Sequence, residues 1–167
     1  FPYTTLFRSA DSNLMFIAGD NVYTGGVLRT TDGGETWVKD SSGLENLRIL
    51  CVQPSAVNPA LVYCGADTLD HLGNSTGKGI YRSLDTGKTW ELWGAPGARI
   101  YDIEEHPSKP WFMAAAGGRH GVFASANVGA YWEAFNGGLP EDSSCRHVAI
   151  PDWETNEQGF LTYASVY

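Results

Sequence analysis

Asp67 and Asp70 lie three positions apart, with His71 next to them. Acid–base cleavage of a glycosidic bond uses two carboxyl groups flanking that bond. Asp67 and Asp70 are therefore candidate catalytic groups. A second set is cationic: Arg48, Arg99 and Arg146 recur along the chain, with Arg119 beside His120 and Arg146 beside His147. A guanidinium fork matches a carboxylate or a sulfate through paired hydrogen bonds, so these six residues are candidate ligand contacts. The competing reading is solvated arginines paired with Asp40, Glu45, Asp102 or Glu141, which is common on protein surfaces. Phosphate-loop, GxSxG, HExxH and CxxC patterns are absent, and the three cysteines Cys51, Cys64 and Cys145 lack metal-site spacing. No cofactor and no metal are expected.

Bulk properties narrow the class. The chain has 167 residues and a formal charge of −8, with 43% hydrophobic and 13% aromatic residues. That composition builds a core. The acidic balance opposes nucleic-acid binding. The apolar runs 61–66 and 111–116 are too short to span a bilayer. Asn74-Ser75-Thr76 forms a glycosylation sequon, a short pattern common by chance.

The elements that must position these residues read as strands. Short β-branched and aromatic runs alternate with Gly, Pro and Asp punctuation, and no 3.6-residue apolar period appears. One turn sequence recurs. Thr30-Thr31-Asp32-Gly33-Gly34-Glu35-Thr36-Trp37 returns as Ser83-Leu84-Asp85-Thr86-Gly87-Lys88-Thr89-Trp90, and again, altered, as Ser125-Ala126-Asn127-Val128-Gly129-Ala130-Tyr131-Trp132. In each copy Asp32, Asp85 or Asn127 can accept bonds from backbone N–H groups two or three residues on. Gly34, Gly87 and Gly129 suit a positive φ. Trp37, Trp90 and Trp132 can fill the gap between neighbouring sheets. Turn chemistry explains this spacing without a catalytic or metal-binding role for Asp32 or Asp85.

The recurrence predicts four strands per unit. Blade one spans 13–39 and lacks its first strand. Blade two is 47–93, blade three is 100–135, and blade four is a partial unit at 147–167. The long segment 67–78 reads as a loop. Cys51 and Cys64 are expected opposite each other on adjacent strands, as two small buried side chains or, less simply, as a strained disulfide. Glu104 aligns with Cys51 and Ala149 on the innermost strand, which makes it a third candidate acid, crowded and raised in pKa. A β-sandwich would not repeat one turn at one place in a four-strand unit. The WD40 propeller pattern is missing.

The repeated turn resembles the Asp-box, or BNR repeat, of sialidase-like β-propellers, over about residues 13–167. That resemblance implies an all-β propeller fragment of about three four-stranded antiparallel blades. It also implies a glycoside hydrolase parent of sialidase-like or xyloglucanase-like type, the fragment itself being inactive. The alternative is a non-catalytic propeller of sortilin or photosystem-assembly-factor type. Carbohydrate or protein partners and an extracellular or periplasmic location follow from the same resemblance. In the family, ligands bind around the axis on the rim away from the boxes, and here that rim carries the loops 20–25, 67–78 and 117–120. Sialidases hold a carboxylate with three arginines, and Arg48, Arg99 and Arg146 are the analogue, although the Arg-Ile-Pro element that introduces such a triad is absent. Phe1–Ser9 resembles a translated sequencing adapter and is set aside from fold reasoning.

Overall fold

The computed structural model describes residues 3–8, 13–19, 26–39, 41–151 and 163–166, the first and last of these as backbone only. Regular structure among them is entirely strand. The first sheet holds β1 (Tyr3–Arg8), β2 (Met15–Gly19), β3 (Gly26–Thr30) and β4 (Val38–Lys39). The second holds β5 (Arg48–Pro54), β6 (Val62–Leu69), β7 (Ser75–Ser83) and β8 (Glu91–Gly94). The third holds β9 (Asp102–Glu105), β10 (Met113–Ala116), β11 (Val122–Ser125) and β12 (Glu133–Ala134), and β13 (Cys145–Ala149) pairs with β14 (Tyr163–Val166). Every pair is antiparallel and strands neighbour in chain order. The loop at 20–25 and Asp40 lie outside the described residues.

The core is three layers, each between two blades. Phe16, Ala18 and Val27 of blade one pack on Val52, Val62, Cys64 and Trp90 of blade two. Tyr63 and Ile80 of blade two pack on Ile103, Met113 and Trp132 of blade three. Ala114, Ala116 and Val122 of blade three pack on Cys145, Val148 and Ile150. The strand period of two makes this work: along β6, Val62, Cys64 and Ala66 face blade one while Tyr63 faces blade three. The second and third sheets are covered on both faces, so β6 from Val62 to Asp67 and all of β10 are buried.

The repeated turns are built alike. The leading hydroxyl of Thr30, Ser83 or Ser125 accepts the N–H of the glycine four residues on, at 3.0, 2.8 and 2.9 Å. It also donates to Asp32, Asp85 or Asn127. Those side chains accept N–H groups mostly four residues on, from Thr36, Thr89 and Tyr131. The span is longer than the two or three residues expected, because two consecutive residues with positive φ carry the chain round first. These pairs are Gly33 and Gly34 (74° and 100°), Thr86 and Gly87 (65° and 79°), and Val128 and Gly129 (57° and 67°). Trp90 and Trp132 are buried against the preceding blade, as their size suggested.

Three expectations are corrected. Blade one has four strands, because β1 pairs with β2 (Leu6↔Ile17, Phe7↔Phe16). The open edge of β2 offers unpaired backbone groups, which an extended segment satisfies. Cys51 lies opposite Gly65, and Cys64 opposite Val52. An irregularity between Ile49 and Cys51 shifts the register by one and sends the two thiols to different layers. Both are free and buried, and burial pushes the Cys51 thiol well up. Finally, counting along the ladders from Ser83 and Ser125 matches Tyr63 to Ala114. Their partners are Gln53 and Glu104. The counterpart of Glu104 is therefore Gln53, and that of Cys51 is Asp102.

Candidate functional site

The two rims of the blades differ in kind. One is closed by the repeated turns and the β1–β2-type connections. The other collects the β2–β3-type connections and the links between blades, and the candidate residues other than Glu104, which lies within β9, gather there.

The segment 67–78 is not a loop. β6 and β7 continue through it, pairing Thr68 with Thr76 and Leu69 with Ser75, and only Asp70–Asn74 turn. Asp70 makes that turn. Its carboxylate accepts the N–H groups of Leu72 and Asn74 and the side-chain amide of Asn74. The Asn74 amide is the main cause of its lowered pKa. His71 is exposed at the tip.

Asp67 therefore sits in a strand, and its side chain is 0% exposed. Arg48, at the start of β5, grips it bidentately, Nε to Oδ1 at 2.7 Å and Nη2 to Oδ2 at 2.5 Å. Arg99, on the link into blade three, donates Nε at 3.1 Å. Ser75 Oγ donates at 2.5 Å. A buried carboxylate needs such partners, and this one is held by four donors from its own surroundings, three of them on Oδ2. Among the described residues Asp67, rather than Glu45, Asp102 or Glu141, is the carboxylate that pairs with Arg48 and Arg99.

Tyr101 adjoins this hub. Its N–H bonds to Ala116 O at 2.9 Å, and its ring lies so close to Gly118 that an added Cβ would meet it at 2.9 Å. The guanidinium carbons of Arg99 and Arg146 both lie 5.2 Å from the ring centre, within cation–π range. Arg146 and His147 are exposed on β13.

Asp102 and Glu104 share the β9 face that turns to blade four. Asp102 accepts Val148 N–H at 3.1 Å and lies 3.6 Å from His147 Nδ1. Burial raises its carboxyl, with Val148 and His147 opposing. Glu104 is half-buried. Burial first, and the Asp102 charge second, push its carboxyl up to about 7. Its protonation would change near neutral pH.

Farther out on the same rim, a cleft of about 380 Å³ opens between Arg119 and the segment carrying Asn136, Leu139, Pro140, Asp142 and Ser143. Asn136 shapes it by accepting Val122 N–H at 2.8 Å and donating to His120 O at 3.0 Å. His120 is exposed beside it. Among the described residues no cluster of His, Cys, Asp and Glu has metal-site geometry. Tyr101, Ser75 and, apart from Arg119, the cleft residues were missed in the sequence. Tyr101 did carry a signal, an aromatic two positions after Arg99 and next to Asp102.

No family model matches the chain. It is 26% identical to the xyloglucanase Xgh74A of Acetivibrio thermocellus over 168 residues, spanning 76% of this chain and 19% of that protein. The chain thus spans about a fifth of the length of the curated relative it matches. Its fold is similar to the GH74 enzyme of Niastella koreensis, with a TM-score of 0.65, 15% identity, and coverage of 89% of this chain and 24% of that one. It is also similar to YCF48 from Cyanidioschyzon merolae, with a TM-score of 0.53, 18% identity, and coverage of 90% and 48%. The chain is an arc of a β-propeller, and its curated relative is a glycoside hydrolase.

Proposed function

We propose that the chain is part of a secreted glycan-acting propeller, of xyloglucanase-like or sialidase-like type, which holds its ligand along the rim of blade links. The repeated turn is read as an Asp-box whose role is to hold the blades alike. The observation that carries the reading is the segregation of the rims. Arg99, Tyr101, Arg119, Arg146, His147 and the cleft share one rim, while the other is occupied by turns whose side chains bond to their own backbone. The name of the relative Xgh74A favours xyloglucan as the glycan. Within this arc Glu104 is the remaining candidate acid, since Asp67 and Asp70 are engaged by their own surroundings. The test is hydrolysis of xyloglucan and of a fluorogenic sialoside by the full-length protein, followed by the Glu104→Gln variant. Turnover that survives Glu104→Gln unchanged removes Glu104 from the catalytic group.

A second reading is a non-catalytic propeller that binds a glycan or a protein. The engagement of Asp67 and Asp70 favours it, as does the fold likeness to YCF48 over 90% of this chain. Saturable binding without product release selects this reading.

A further inference from the structure

We infer that the third repeated turn carries a saccharide contact of its own, on the rim opposite the blade links. Tyr131 and Trp111 form a stacking platform with the Asn127 amide at its edge, and the ligand is a neutral glycan chain. The inference goes beyond the reading of the link rim and rests on it only for the glycan class of the ligand.

The third turn departs from the other two at positions that act together. In the first two, a threonine hydroxyl closes on the second carboxylate oxygen. Thr36 donates to Asp32 Oδ2 at 2.5 Å, and Thr89 donates to Asp85 Oδ2 at 2.7 Å. Both halves of that bond are replaced in the third copy, by Tyr131 and Asn127. Asn127 still builds the turn, because its Oδ1 accepts the Ser125 hydroxyl and the Tyr131 N–H. A backbone N–H can only donate, so Oδ1 is the bonded atom and Nδ2 takes the place of the second carboxylate oxygen. Neither Nδ2 nor the Tyr131 hydroxyl has a hydrogen-bond partner among the described residues. The turn has thus given up an internal bond and gained two unspent polar groups and a ring that is 65% exposed. Folding by itself gains nothing from that exchange.

A second aromatic appears at the same turn. In each copy one turn N–H bonds to a carbonyl of the neighbouring connection: Gly33 to Asn13, Thr86 to Ala60 and Val128 to Trp111, at 3.0, 2.9 and 2.9 Å. A position that is polar or small in two copies is therefore a tryptophan in the third, 41% exposed. The Phe112 ring stands edge-on to it at 6.2 Å. The turn between the two rings is clamped from blade two, where Trp93 Nε1 donates to Gly129 O at 2.6 Å and the Tyr63 hydroxyl to Val128 O at 2.5 Å. A fixed turn lowers the ordering cost of binding. The C–H face of a pyranose is apolar and its rim carries hydroxyls, so it matches a ring flanked by an amide and a phenol. A purely apolar partner would leave both polar groups unpaired. The ligand is neutral because the exchange of Asp for Asn127 removes the charge that hydrogen bonds stabilise at Asp32 and Asp85.

Aromatic NMR titration of the full chain with a xyloglucan oligosaccharide and with cellohexaose tests this. The expected result is that the Tyr131 ring and Trp111 indole signals move together along one saturation curve with at least one of the two. Tyr131→Ala weakens that binding about tenfold, whereas Tyr131→Phe keeps it within about twofold. The double variant Asn127→Asp with Tyr131→Thr rebuilds the bond of the first two turns. It should melt no lower than the parent chain and lose the binding, which separates a ligand contact from a structural role. Binding that survives the double variant unchanged overturns the inference. Tyr131 signals that stay fixed while those of Tyr101 move overturn it and leave the glycan reading of the link rim standing. Signals fixed on both rims overturn it as well, together with that reading for these two glycans. Tyr131 signals that move on raising the protein concentration alone identify a second copy of the chain as the occupant and also overturn it.

Discussion

Glu104→Gln should make the protein more stable at pH 8 and leave it unchanged at pH 4.5. The Glu104 carboxyl is raised from its ordinary 4.5 to about 7, first by burial against blade four and then by the charge of Asp102. A raised acid is the reverse of the usual carboxylate case. Between pH 4.5 and 7 the folded chain keeps a proton that the unfolded chain has released. Stability therefore falls as pH rises through that window and levels off above it. Fully expressed, a change of this size is worth roughly 3 kcal/mol. Glu104 is only half-buried, so solvent screening reduces it to about 1–2 kcal/mol. Glutamine has the shape of the protonated acid and does not ionise. Urea unfolding of both proteins from pH 4.5 to 8.5 should give curves that meet at the acid end and separate by that amount at the basic end. Parallel curves across the range, or a wild type more stable at pH 8, would refute the burial argument.

Three other substitutions probe the frame. Asp67→Asn leaves Arg48 and Arg99 around a neutral group and should cost about 3–5 kcal/mol in urea unfolding, whereas a loss below 1 kcal/mol would mean that the hub is solvated. Val128 is β-branched at φ 57°, where the first turn has Gly33, so Val128→Gly should gain about 0.5–1 kcal/mol once the strain relieved is set against glycine's entropy; a lower melting temperature would contradict this. Trp90 donates its indole N–H to Gly87 O at 3.1 Å. In the third turn Trp93 takes Gly129 O at 2.6 Å, and the buried Trp132 N–H has no partner. Trp90→Phe should therefore cost about 1 kcal/mol more than Trp132→Phe, and equal losses in thermal unfolding would show that the bond contributes nothing.

The propeller was legible because its signals are local and repeated. A turn that needs a hydroxyl, an acceptor, a positive φ and a wedge within eight residues leaves the same mark in each copy. The site was less legible, for two physical reasons. Register is set by backbone irregularities that carry no side-chain signature. The one between Ile49 and Cys51 moved Cys51 off Cys64, and ladder counting matched Glu104 to Gln53 rather than Cys51. Charge partners are chosen by three-dimensional proximity. Polar residues at 67–78 read as a loop, yet Arg48 and Ser75 neutralise Asp67 well enough for β6 and β7 to run on through it.

The same two causes also decide which candidates remain open for function. A residue whose polar atoms are all satisfied by its own neighbours gains nothing from a ligand. This sets aside Asp32, Asp85 and Asp70, whose carboxylates accept backbone N–H groups of their own turns, and Asp67 and Arg48, which satisfy each other. Burial opposes the Asp85 carboxylate, yet the bonds from Thr89, Ser83 and Lys88 hold it down at about 2. A group so strongly held as an anion is poor at taking or giving a proton near pH 7. What is left has unspent capacity: Glu104, balanced near neutrality, and the terminal nitrogens of Arg99, Arg146 and Arg119. The arginines lie on the rim away from the repeated turns, where neighbouring links bring unlike residues together without constraining their chemistry, while Glu104 sits within β9 opposite Ala114.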